Sequence, residues 1–261
     1  MKIVVFIKQV PDNTRLRFQD GHPVLTGTPM MMNPFDEYAL ETALRLKEQA
    51  GGDSSVTVIS LGIETAREIL KKAIAAGADQ AFLLCDPLFA SSTLDSAAVA
   101  TALAAGVRQH VPDYNVLVFG QVALDDASAQ VGPSVAEMLG LPSATFVKYV
   151  RVEGSQLTLF RETEQGSEEW CMGLPGVLCM MKCDYELRSS NIKGVMKANK
   201  TEIPLVSATA LGLDGGVLSP RIQIERTWAR PAKTGGRVVN GADPKVAVTE
   251  LLDYLQTAKV L

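Results

Sequence analysis

Apolar runs alternate with helical patterns through the first half of the chain. Ile3–Ile7 is a short β-branched run of the kind that fills a central parallel strand. Pro11–Pro29 is turn-rich, with Gly21, Pro23 and Gly27, and has room for a small hairpin. Asn33 then opens a helix. It reads as the N-cap, Pro34 stands at the first helical position, and Asp36 is placed to bond back to the cap. Leu40, Ala43, Leu44 and Lys47 follow at helical spacing until Gly51-Gly52 stops the helix. Strands at Val56–Ser60, Ala81–Cys85 and Asn115–Phe119 alternate with helices at Glu64–Ala76, Ser92–His110 and Asp126–Leu139. Such alternation predicts βαβ units and a parallel sheet.

The pattern changes after Ser143. Thr145–Val152, Gln156–Arg161, Glu168–Met172 and Gly176–Met180 read as short strands, with Gly154 and Gly166 at turns, and predict an antiparallel addition to the first sheet. Beyond Lys200 the periodicity fades. Pro204–Gly241 is rich in Gly, Pro, Arg and Thr, and helical spacing returns over Pro244–Ala258 through Val246, Val248, Leu251, Leu252 and Leu255. An irregular stretch ending in an amphipathic helix reads as an arm that packs on a partner or folds back on its own domain. The fold expected is α/β: a Rossmann-like open parallel sheet flanked by helices over residues 1–203, with appended antiparallel strands, and a C-terminal arm over 204–261.

Composition narrows the function. The chain has 261 residues, 47% of them hydrophobic, enough for one substantial core. A net charge of −4 leaves no electrostatic footprint for nucleic acid. No apolar run approaches the roughly 20 residues that span a bilayer. The apolar stretch before Lys8 is shorter than the roughly 7–15 residues of a signal core, so a cytoplasmic location is expected. Cys85, Cys171, Cys179 and Cys183 form no C-x-x-C pair, so no metal site is expected and the four read as reduced, mostly buried thiols. His22 and His110 read as surface residues without a triad partner, and no catalytic acid, base or nucleophile stands out. Neither a G-x-G-x-x-G after the first strand nor a P-loop is present.

Three stretches carry candidate chemistry. The first is the loop Phe119–Pro133, leaving the fourth strand for a helix, where first-turn amides make an anion site and Ser128 and Gln130 add donors. Asp125 and Asp126 oppose that reading, because carboxylates repel phosphate and suit a helix N-terminus for capping reasons alone. The second is Asp184–Lys200, a polar loop leading to a short basic helix with Lys193, Lys197 and Lys200. The third is the pair Arg161-Glu162, by itself a surface ion pair of small worth.

Five patches, in order, give the chain a family resemblance: Val5-Phe-Ile-Lys-Gln-Val-Pro-Asp12, Met32-Asn-Pro-Phe-Asp-Glu-Tyr-Ala39, Ala75-Ala-Gly-Ala-Asp79, Gly120–Pro133 continuing into Ala136–Gly140, and Gly194-Val-Met-Lys-Ala198. Over almost its whole length the chain resembles the beta subunits of electron-transfer flavoproteins. The resemblance implies a heterodimer whose larger alpha subunit holds the electron-transferring FAD. The beta chain would hold AMP in the housekeeping type, or a second FAD, reduced by NADH, in the electron-bifurcating type. It places nucleotide contacts at Phe6, Asn33, Phe35 and Leu61, and at Gly120, Gln121, Val122, Ala123, Asp125, Asp126, Ala127, Ser128, Ala129, Gln130 and Val131.

The string Asp125–Pro133 matches the bifurcating type, Asp-Gly-Asp-Thr-Ala-Gln-Val-Gly-Pro, from Ala129 onward. It departs at Asp126 and Ala127, and the balance leans slightly to FAD. The resemblance further implies that residues 184–200 are a recognition loop docking on acyl-CoA or other dehydrogenases. Ile192 would stand where the family inserts a leucine, with Met196 and Lys197 on the same short helix, though Glu186-Leu-Arg-Ser189 departs from the family's Glu-Pro-Arg-Tyr. Arg161 and Glu162 would lie at the subunit interface near the alpha-subunit FAD. The rival reading is a nucleotide-binding sensor or stress-type α/β domain with no redox partner, which would need neither the arm nor the Ile192 loop.

Overall fold

A computed structural model of the chain describes residues 1–20, 22–89, 94–226, 228 and 238–261. The chain divides into two units, Met1–Thr227 and Trp228–Leu261. The first opens with β1 (Lys2–Phe6) and then four short strands, β2 (Gln9–Pro11), β3 (Arg17–Gln19), β4 (His22–Val24) and β5 (Met30–Met32). β2 pairs with β5, and β3 with β4, both antiparallel, so the turn-rich stretch does hold a hairpin; Gly21 lies outside the described residues. The alternating half follows as α1 (Pro34–Ala50), β6 (Ser55–Leu61), α2 (Arg67–Ala76), β7 (Gln80–Leu84), α3 (Ser96–His110), β8 (Val116–Gly120) and α4 (Val131–Leu139). Then come β9 (Ser143–Glu153), β10 (Gln156–Thr163), β11 (Gly166–Gly173), β12 (Gly176–Met180), α5 (Ile192–Lys200) and β13 (Leu205–Val206).

Nine strands form one sheet in the order β11-β10-β9-β12-β8-β1-β6-β7-β13. β1 lies between β8 and β6, parallel to both. Its side chains alternate between two cores. Ile3 and Val5 join Leu40, Leu44, Leu70 and Ile74 of α1 and α2, whereas Val4 and Phe6 join Leu103, Val107 and Val135 of α3 and α4. A run apolar at every position is therefore buried on both faces, as a central parallel strand requires. The α/β class and the flanked parallel sheet are as the pattern predicts.

Gly176–Met180, expected to be antiparallel, is instead parallel to both β8 and β9; only β9-β10-β11 is an antiparallel meander. All five residues of β12 are buried, which an interior parallel position demands and a half-exposed antiparallel strand does not. α3 begins at Ser96, where the Asp95 carboxylate caps the Ala98 amide; Ser92, the predicted start, lies outside the described residues. α4 begins at Val131, not Asp126, because Ala127 and Ala129 take positive φ (53° and 55°), which a right-handed helix cannot contain. His110 is not a free surface residue. Its ring stacks on Phe82 (centroids 5.0 Å apart) and its Nε2 is buried. All four cysteines are free thiols; Cys179 and Cys183 are buried, Cys85 half-buried and Cys171 exposed. Burial pushes the Cys179 thiol up to about 12, so it is inert as a nucleophile.

The second unit contains α6 (Pro244–Thr257), capped by Asp243 accepting from the Lys245 amide. None of its residues is buried. Among the described residues no helix is long and apolar enough to cross a membrane, and no cluster of ligating side chains suits a metal ion.

Candidate functional site

The chain leaves β1 for β6 on one side and later returns to β8 on the other. An open α/β sheet binds ligands in the crevice outside the carboxyl ends of strands at such a reversal. A cleft of about 1360 Å³ lies there, lined by the ends of β1 (Phe6), β6 (Ile59, Leu61) and β8 (Phe119, Gly120), by the loop through Val131, and by Pro220–Ile224. Phe6 and Phe119 stack at 4.1 Å and 8° and form an apolar floor.

Beneath the cleft, Asn33 and Asp36 tie three elements together. The expected side-chain cap at Asn33 is absent. Instead Asn33 Nδ2 donates to Asp36 Oδ1 (3.0 Å) and to the Val122 carbonyl (2.9 Å), while Asn33 Oδ1 accepts from the Leu124 amide (3.2 Å). Asp36 Oδ2 accepts from the Lys8 amide at 2.7 Å. Burial raises the Asp36 pKa to about 7, against the pull of these donors and of Lys8. A Cβ at Gly120 would stand 2.3 Å from Asp36 Oδ1 and 2.8 Å from the Phe35 backbone, so only glycine lets β8 end against α1. Gln121 is likewise committed: its Oε1 accepts from the Phe146 amide at 2.7 Å, and its own amide donates to the Met180 carbonyl.

The objection raised by two carboxylates has a structural answer. Lys8 Nζ meets Asp125 Oδ1 at 2.8 Å and Asp126 Oδ2 at 3.1 Å. Burial disfavours the Lys8 ammonium, but the two carboxylates outweigh it and hold its pKa above the ordinary value. Asp126 Oδ1 also accepts from the Ser128 amide (3.0 Å); burial opposes its ionisation, and this bond with Lys8 keeps its pKa below the usual value. The Ser128 hydroxyl lies 3.3 Å from that of Ser96 at the start of α3. Gln130 is the N-cap of α4 without a side-chain bond to it, and the amides of Val131 and Gly132 lead the helix with no carbonyl one turn back to receive them.

Of the nucleotide contacts expected from the sequence, the structure gathers Phe6, Asn33, Leu61, Gly120, Gln121, Val122, Ala123, Asp125, Asp126, Ser128, Ala129, Gln130 and Val131 around this one cleft. Phe35 and Ala127 do not line it: Phe35 packs under Gly120, and the Ala127 amide turns back to the Ala123 carbonyl. Sequence reasoning missed Lys8, Asp36, Asp95, Ser96 and Pro220–Ile224. Lys8 and Asp36 were visible as charges inside apolar patches; Pro220–Ile224 carries no periodic signal at all.

The other candidates lie apart. On α5, Ile192 is 81% exposed and Met196 54%, while Lys197 is tied down, its Nζ donating to the Ala78 carbonyl at 2.9 Å. Gly194 lets α5 close on α2, since a Cβ there would stand 2.2 Å from the Ala75 carbonyl oxygen. The approach to α5 is pinned by Arg188, which pairs with Glu41 and Glu48 of α1, and by Tyr185, whose hydroxyl meets Thr42 at 2.7 Å under Arg45. On β10, Arg161 lies over the Trp170 ring at 4.1 Å and 3.6 Å from Glu168, with its Nε buried and unpartnered, and Glu162 pairs with Lys148.

A family profile described as "Electron transfer flavoprotein domain" matches residues 24–211. The chain is 33% identical over 273 residues to an electron transfer flavoprotein subunit beta of Megasphaera elsdenii, each chain covered completely. It is 36% identical over 267 residues to the corresponding subunit of Thermoanaerobacterium thermosaccharolyticum, again with complete coverage. It is 31% identical over 269 residues to the caffeyl-CoA reductase-Etf complex subunit CarD of Acetobacterium woodii, with both chains covered completely.

Proposed function

Because the chain belongs to the electron transfer flavoprotein family and matches its beta subunits end to end, we propose that it works as one half of a heterodimer carrying electrons through flavin, with a nucleotide in the cleft above β1 and β8. The observation that supports the nucleotide most is the convergence of loops far apart in sequence. Phe6, Leu61 and most of the stretch Gly120–Val131 line one cleft, and the first residues of α4, Val131 and Gly132, border it. Such amides, at the positive end of a helix dipole, suit phosphate.

The residues present fit the group. Small-molecule pockets typically span about 300–1,000 Å³, and this cleft, at about 1360 Å³, has room for a dinucleotide as well as for AMP. Phe6 and Phe119 offer a flat apolar surface for a ring. Lys8 offsets half of the charge of Asp125 and Asp126 and holds both carboxylates in ion pairs that brace the loop. In this reading Phe6, Leu61 and the loop into α4 would hold FAD, which would supply acceptance of an electron pair from NADH, as in the bifurcating type. The protein's own part is to bind, orient and exclude water. The likeness to an Etf subunit of a caffeyl-CoA reductase complex favours this version over an AMP-holding carrier.

In the same reading, exposed Ile192 and Met196, on the helix that Lys197 braces, dock a dehydrogenase. Arg161 and Glu162 face the alpha subunit near its FAD, and α6 packs on that subunit. A cytoplasmic heterodimer is the form expected. The mole ratio of FAD to purified heterodimer tests the proposal. A ratio near two supports FAD in the cleft; a ratio near one with AMP extracted leaves the electron carrier and removes bifurcation. A colourless complex overturns both. Replacing Ser128 and Gln130 together by alanine should release the nucleotide, since each charge-assisted hydrogen bond contributes roughly 1.5–3 kcal/mol. Full retention would place the ligand elsewhere.

A further inference from the structure

Positive charge is scarce around the cleft. The described lining carries four carboxylates, Asp36, Asp95, Asp125 and Asp126, against two cations, Lys8 and Arg221. Lys8 is committed to Asp125 and Asp126. Among the described residues no ion pair engages Arg221, so its guanidinium is the one cation of the described lining left for a ligand. The amides leading α4 offer only about half a unit of positive charge between them, and a nucleotide phosphate brings more than that.

Arg221 is also held in place. It belongs to an irregular strap, Pro220–Ile224, that lines the cleft. The strap is fastened by Asp95. One oxygen of that carboxylate caps α3 by accepting from the Ala98 amide at 2.9 Å; the other accepts from the backbone amides of Arg221 (2.5 Å) and Ile222 (3.2 Å). These bonds hold the Asp95 carboxyl below the usual carboxylate range, so the fastening persists across ordinary pH. The next residue, Ser96, touches Ser128 on the loop into α4. Strap, α3 and the phosphate-side loop are therefore linked through two adjacent residues.

We propose that Arg221 is the anion-pairing residue of this cleft, meeting the phosphate of the bound nucleotide, and that Asp95 is a positioning residue that sets the strap for it. The proposal rests on the nucleotide reading above. A planar guanidinium matches two phosphate oxygens at once, and an exposed one loses little hydration until the ligand arrives.

The experiment uses the assembled heterodimer, stripped of nucleotide, and titrates it calorimetrically with AMP and with adenosine. R221Q should bind AMP about 10- to 100-fold more weakly and adenosine unchanged, with R221K between. The strap residue is exposed, so R221Q should melt with the wild type. In D95N the single side-chain carbonyl can keep either the α3 cap or the strap, and its amide faces N–H donors. AMP binding should fall several-fold, and adding R221Q should then cost less than it does alone. R221Q binding AMP within twofold of the wild type overturns the role of Arg221 and leaves the nucleotide reading standing, as does a wild type that binds adenosine as tightly as AMP. Fully additive effects of D95N and R221Q overturn the positioning role of Asp95. A wild type that binds neither AMP nor FAD overturns both this proposal and the nucleotide reading.

Discussion

The floor of the cleft and the helix α6 handle unsatisfied groups in opposite ways. Under the cleft, polar side chains are buried and almost all spoken for: Asn33 makes three hydrogen bonds, Asp36 takes the Lys8 amide, and Gln121 holds Phe146. On α6, apolar side chains are exposed, with Leu251, Leu252 and Tyr254 each nearly half accessible and no residue buried. A buried polar group without a partner costs about 1–3 kcal/mol, so the cleft must be completed within the chain. An exposed apolar face costs solubility rather than fold, so it can wait for a partner. The difference separates a site that is preformed from a surface that is not.

The largest effect should follow from breaking the cleft at its tightest point. Gly120→Ala puts a methyl against the Asp36 carboxylate and the Phe35 backbone, neither of which has room to yield. A loss above the roughly 4 kcal/mol that marks exceptional substitutions is expected, read by chemical denaturation. A variant melting within a degree of the wild type would mean that α1 and β8 are not packed as described.

Asp36 gives the next. Its pKa in the folded chain, about 7, stands above the model-peptide value of 3.8, so between those two values the folded state holds a proton that the unfolded chain has released. Stability from this group is therefore full at the acidic end of that window and declines as pH rises through it, by on the order of 4 kcal/mol in all. Asp36→Asn should flatten the slope, at the cost of an amide N–H facing another donor. A pH–stability profile with the same slope in both proteins would contradict the assignment.

Ile192→Ala tests the waiting surfaces. Its side chain is exposed in the chain itself, so stability should not move, whereas the docking proposed for it, on a dehydrogenase, should weaken by about 1–3 kcal/mol. Electron-transfer rates at limiting partner concentration measure it, with bound nucleotide as the control. Leu252→Glu tests α6. That side chain is nearly half exposed, so stability should change by less than about 0.5 kcal/mol, while the pairing proposed for α6, with the alpha subunit, should be lost in pull-down. A destabilised lone chain would show that α6 is covered from within.

Most of the fold is legible from local pattern. β1, β6 and β8 announce themselves as β-branched runs, and the glycines at 51, 77 and 140 end helices where predicted. The errors share a cause. Asp125 and Asp126 look like the start of a helix, yet a lysine more than a hundred residues earlier draws them into a loop, and the helix starts at Val131. Gly176–Met180 follows a hairpin and looks like its continuation, yet it lies between β8 and β9, where burial on both faces suits its unbroken apolar character.

The sequence by itself determined the α/β class, the family and the two main segments of the cleft, because periodicity and motif are carried by neighbours along the chain. Only the tertiary structure decided that Asn33 braces the loop instead of capping its helix, that Lys8 pairs with the two aspartates, and that Asp95 fastens the strap bearing Arg221. Each of those is a hydrogen bond or ion pair between residues that no period relates, and its energy exists only once folding has brought the partners within about 3 Å.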